Sequence, residues 1–174
     1  MDDILSAIIG IALAAILMFI FPLITMADRT DDVSQLTVKI ATSELANDVM
    51  ATGKITSERY DQLINNIGST GNTYNIEIEV QHLDENPGKK TTQANYTKIG
   101  DNVYYSDYTT QVLQQLQNDS KKICLKQGDR IVVDVKNTNN TQAQTLKGSL
   151  LSFTNAGQYT ISASSTGMIN VNGK

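Results

Sequence analysis

From Ile4 to Ala27 the chain runs for 24 residues without a charged side chain. As a helix such a run is ~36 Å long, against ~30 Å for the hydrocarbon core of a bilayer. Ser6, Gly10, Pro22 and Thr25 are its main departures from apolar character, and helices in lipid tolerate all four residue types. The segment therefore predicts a membrane anchor over residues 1–27, with lipid as its first partner. A secretory signal sequence fits less well. Its flank would be basic, whereas this one reads Met1-Asp2-Asp3, and its apolar core would be shorter. A buried helix of a soluble domain would carry a polar stripe, and this segment has none.

Two signals for membrane orientation oppose each other. Arg29 and Lys39 follow the span and no basic residue precedes it, which places the remainder on the cytoplasmic side. Composition points outward: the remainder is rich in Asn, Thr, Ser and Gln, and the whole chain is 18% charged. The expectation is a single-pass protein of the cell membrane with its C-terminal domain outside the cell. Cys124 is the single cysteine, so no intrachain disulfide reports the compartment. A formal charge of −4 without a basic cluster argues against a nucleic-acid partner.

Beyond the anchor, the pattern predicts an α+β protein: one long helix, a small antiparallel sheet, and short helices between. Residues 28–53 read as an amphipathic extension of the anchor helix. No Gly or Pro interrupts them before Gly53, and Val33, Leu36, Ile40, Leu45 and Val49 fall near helical spacing. Residues 54–174 then form the globular domain. Thr56 or Ser57 caps a short helix over 58–67, with Tyr60, Leu63, Ile64 and Ile67 inward. Tyr74, Ile76, Ile78 and Val80 alternate with Asn75, Glu77, Glu79 and Gln81 as a half-buried strand. Residues 84–100, with Pro87-Gly88, read as a loop. A helix is expected from Ser106 or Asp107 to about Asn118, with Tyr108 among its inward residues. A strand is expected over 130–136 and a helix over 142–152. The segment 158–171 reads as a hairpin turning near Ser165-Thr166-Gly167.

Chemistry-bearing residues are sparse. His82 is the single histidine, placed where the first strand ends, and no GxSxG elbow accompanies it. Carboxylates with one His make a poor zinc set, and neither a P-loop nor a dinucleotide fingerprint is present. Glu77 and Glu79 share one strand face, where paired carboxylates would sit in a glycosidase; solvated positions are the commoner reading. Asp84-Glu85-Asn86 and Asp101-Asn102 offer oxygen ligands but lack EF-hand spacing. Sequons begin at Asn95, Asn118 and Asn139. The expectation is a non-enzyme with no metal, no cofactor and no small-molecule substrate.

The anchor itself carries the remaining pattern. Ser6, Gly10 and Ala14 recur every four residues, a ridge of small side chains that lets two helices approach closely in lipid. Asp3 precedes the span and Pro22 interrupts it. An apolar helix near the N-terminus that runs on into an amphipathic half and then a small sheet domain resembles the type IV pilin and pseudopilin plan. In that family the apolar half anchors the subunit and then packs in the filament core. The resemblance implies assembly through Asp3, Ser6, Gly10, Ala14 and Pro22, with Asp3 and Pro22 matching the family's N-terminal acidic residue and helix-bending proline. Gly10-Ile11 departs from the family's processing site, since no basic stretch precedes it and no glutamate lies five residues on.

The ectodomain carries a second likeness. TGKIT at 52–56, Tyr60, Leu63, TGNTYNIEIEVQH at 70–82, GDRIVVDVKN at 128–137 and TGMINVNG at 166–173 resemble an uncharacterised group of membrane-anchored Gram-positive proteins. That group accompanies pilus or type II-like secretion genes. Together these imply a pilin-like structural or accessory subunit that associates with itself or with other pilin-like subunits. The alternative is a monomeric tethered ectodomain that binds a ligand or partner protein.

Overall fold

One helix dominates the computed structural model, which describes residues 2–84, 104–117, 121–150 and 160–174. Helix α1 (Asp2–Thr52) runs unbroken through Pro22. It is capped by Gly53, whose φ of +66° lies in the left-handed region that glycine reaches without strain. A side chain there would also collide with the Val171 carbonyl, 2.5 Å from the position of a Cβ. The hydroxyls of Thr25, Thr30, Ser34, Thr37, Thr42 and Thr52 each donate to the carbonyl four residues earlier. These polar groups are thus satisfied within the helix whether its surroundings are lipid or water.

After α1 come β1 (Lys54–Thr56), α2 (Ser57–Gly68), β2 (Tyr74–Leu83), β3 (Tyr104–Tyr108) and α3 (Thr109–Leu116). Then follow β4 (Lys122–Cys124), β5 (Arg130–Asn137), α4 (Gln142–Leu150) and β6 (Ser162–Met168). Four strands form an antiparallel sheet in the order β3-β2-β5-β6, and β1 pairs separately with β4. The outer half of α1 lies against β6 and β5, with α2 beside it. Val38, Leu45 and Val49 of α1 meet Leu63 and Ile67 of α2 and Ile78, Val80, Ile131, Val133 and Val135 of the sheet in one core. Burying a side chain of this size stabilises by about 1.5–3 kcal/mol. The helix is therefore a wall of the domain as well as its stalk.

Two segments differ from the sequence-based expectation. Residues 104–108 form an edge strand where a helix start was predicted, and α3 begins only at Thr109. Ser106 and Asp107, the candidate caps, bond sideways instead. Ser106 donates to Glu79 at 2.6 Å, and Asp107 accepts from Gln115 at 3.2 Å. The helix is closed by Gln111, whose Oε1 accepts from the Tyr108 N–H. Tyr108, expected to face inward, is exposed.

The predicted C-terminal hairpin is also replaced, by the single strand β6 running through Ser165-Thr166-Gly167. Gly167 is small because α1 crosses close above it, not because the chain turns. A Cβ on Gly167 would lie 1.8 Å from the Met50 sulfur. The expected loop over 84–100 falls almost wholly outside the described residues, as do Leu151 and Ser152 at the end of the helix predicted over 142–152.

Candidate functional site

The outer half of α1 has two faces, and they are not the two that hydropathy alone suggests. Val33, Leu36 and Ile40 follow helical steps of three and four, but Leu45 lies five residues beyond Ile40. At 3.6 residues per turn a five-residue step swings a side chain by about 140°. The predicted single stripe is therefore split. Leu45 and Val49 point into the core, while Val33 is 63% exposed, Leu36 57% and Ile40 48%.

Less conspicuous residues make up the rest of the domain-facing side: Ala27, Asp31, Ser34, Val38, Ala41, Thr42 and Ala46. Contacts begin right at the end of the apolar run. Lys147 of α4 bonds Asp28, and Thr141 donates to the buried carboxylate of Asp31. One turn further on, the Gln35 amide both donates to the Ser162 carbonyl and accepts from its N–H, as a neighbouring strand would. Asp48 pairs with Arg59 of α2 at 3.2 Å. The domain grips α1 from Asp28 to Met50 with no free linker between.

The opposite face carries the apolar row, with one shallow groove on it and a second at its border with α2. One is lined by Phe21, Pro22, Thr25, Met26 and Arg29, where proline leaves the helix surface low. The other is lined by Thr37, Ile40, Ala41, Glu44, Asn66 and Ser69. Between Ile4 and Thr52 α1 contains a segment of mean hydropathy 2.9 that is long and apolar enough to cross a bilayer, and none of that window is buried by the domain.

The sequence-predicted assembly residues all lie on this helix. Gly10 has open space around it, and Ser6, Ala14 and Pro22 are exposed. Asp3 lies in the first turn of α1, in its backbone as described. At 100° per residue, Gly10 projects about 140° away from Val33 around the axis. The small-residue ridge and the apolar row therefore occupy different sides of the rod. Of the charges at either end of the row, Arg29 carried only an orientation signal in the sequence and Glu44 none; the exposed neighbours between them mark them out.

His82 takes a structural place. Its Nδ1 lies 3.1 Å from the buried Asp129 carboxylate and its Nε2 3.5 Å from Asp107. Tyr105 stacks at 5.1 Å. Asp129 also accepts from the backbone N–H of Leu83 and Lys126, at 3.0 and 2.9 Å. It thereby ties the end of β2 to the turn before β5. The pleat sends Glu77 and Glu79 to the other face of β2, so the structure does not bring them together with His82. The Ser106 hydroxyl and then the Gln81 amide hold the Glu79 carboxyl below its ordinary range, the opposite of what a general acid needs.

Among the described residues no three His, Cys, Asp or Glu side chains are grouped to hold a metal ion. Glu85, Asn86, Asp101 and Asn102, and the sequons at Asn95 and Asn118, lie outside the described residues. Asn139 of the third sequon has both ends of its amide engaged, with Thr73 and with Asn72 and Asn140. No protein-family model, curated protein or solved structure matches the chain.

Proposed function

We propose that this chain is a pilin-like structural or accessory subunit of a cell-surface filament or secretion apparatus. Residues 4–27 anchor it in the membrane, its domain lies outside the cell, and its work is assembly rather than catalysis. The observation that carries this reading is the exposed row Val33, Leu36 and Ile40 on the face of α1 turned away from the domain. A tethered receptor has no use for an apolar row there, and Ile40 lies ~20 Å along the helix beyond Met26, out of reach of lipid. Side-by-side packing of long helices buries such rows. Each subunit then contributes one rigid rod, because the domain is built on the rod itself.

The test is made on the full chain in a bacterial membrane. It should resist alkaline extraction, its domain should be cleaved by protease added to intact cells, and lysine-reactive crosslinking should yield a ladder of multiples. A chain that stays membrane-bound but strictly monomeric would replace this reading with that of a tethered ectodomain. A domain protected from external protease would reverse the orientation.

A further inference from the structure

Resting on the self-association reading, the charges at the two ends of the free face define how neighbouring copies are offset. Arg29 and Glu44 are both exposed and lie on the same side of α1 as Val33, Leu36 and Ile40. They are 15 residues apart, about four turns or ~22 Å of helix. No ion pair or hydrogen bond engages either one among the described residues. Two parallel copies side by side at one level would set Arg29 against Arg29 and Glu44 against Glu44. Like charges so placed repel, and the anchors forbid the antiparallel alternative within one membrane.

We propose that the free face of α1 seats the apolar segment of a second copy of this chain, raised by four helical turns. The Arg29 guanidinium of the upper copy then lies beside the Glu44 carboxylate of the lower. The same offset brings Met18 level with Val33, and sets Pro22 and Met26 within one residue's rise, ~1.5 Å, of Leu36 and Ile40. Every member of the lower row gains an apolar cover that lipid cannot give it. The groove at Pro22 faces Leu36, and the groove containing Ile40 and Glu44 faces Met26 and Arg29. One copy must rise from the bilayer by ~22 Å to reach this register, so the contact is not that of a flat dimer.

Cysteine pairs in the full chain, with exposed Cys124 first replaced by serine, test the offset. Copies carrying Met18→Cys and copies carrying Val33→Cys are co-expressed and oxidised. The offset predicts a disulfide in this mixture and little in Val33→Cys alone. Arg29→Glu or Glu44→Arg should each lower the mixed crosslink about fivefold, as for a partly exposed ion pair, and the double exchange should restore it. A dominant Val33→Cys homodimer would overturn the offset while leaving self-association standing. Absence of crosslinks in every combination would overturn both.

Discussion

The two halves of α1 share one backbone and differ in what surrounds them. The inner half, from Ile4 to Met26, is apolar nearly all round and holds no buried residue among the described ones; the outer half, from Ala27, is held along one side by its own domain. On the inner half any apolar side chain of ordinary size serves, because only lipid or another helix must be matched. On the outer half the domain face accepts small or buried residues only, and the free face remains apolar at Val33, Leu36 and Ile40 without a local reason. The difference separates residues that make the fold from residues that are left for association.

That separation has a direct consequence for mutation. Val38→Asp places a carboxylate in the core and is expected to cost more than about 4 kcal/mol, removing the cooperative thermal transition of the domain. Val33→Asp, five residues away on the same helix, should move stability by no more than about 0.5 kcal/mol. Equal losses at both positions would erase the distinction between the faces. A smaller effect tests how closely the helix lies on β6. Gly167→Ala pushes a methyl into Met50 and should cost about 1–3 kcal/mol. Adding Met50→Ala should recover part of that loss, and a double variant no better than the single would show that the clash is elsewhere.

The brace beside α1 is weaker again. The Thr56 side chain accepts from the Arg59 N–H at 3.3 Å and caps α2. Thr56→Ala should lower stability by about 1 kcal/mol in chemical denaturation, leaving the exposed row unaffected. The smallest effect is electrostatic and lies on the solvent face of the sheet. Because Ser106 holds the Glu79 carboxyl low, the folded state binds a proton there less readily than the unfolded chain does. The stabilisation is present above the ordinary carboxylate range, about 4.3, and is lost as pH falls through the lower folded value. Ser106→Ala should therefore lower the thermal midpoint slightly at neutral pH, with the gap closing in acid. A gap that stays constant with pH would assign the loss to packing.

Much of this architecture is legible in the residues. The α+β class, the continuous helix, its stop at Gly53, and the strands near 74–81 and 130–136 follow from periodicity and glycine placement. What is not legible depends on contacts distant in the chain. Five-residue spacing between Ile40 and Leu45 conceals a change of face until the domain shows which side is taken. Gly167 signals a turn by composition and in fact signals the approach of Met50, 117 residues earlier in the chain. Ser106 and Asp107 suit a helix cap equally well as partners for Glu79 and Gln115, and pairing with β2 decides between them. The three-residue strands β1 and β4 are too short for any periodic signal. Of the candidate surface, the apolar residues could be found in the sequence; Arg29 and Glu44 could not, because surface charges are common and only geometry selects these two.

Subunit number is the most direct measure of whether the free face exists for association. The full chain in detergent would be compared with Leu36→Glu/Ile40→Glu by analytical ultracentrifugation, with thermal unfolding followed on the same samples. The account predicts multimers for the unaltered chain, monomers for the variant, and the same unfolding midpoint for both. A variant that associates as strongly as the parent, or that loses its domain's stability along with association, would contradict it.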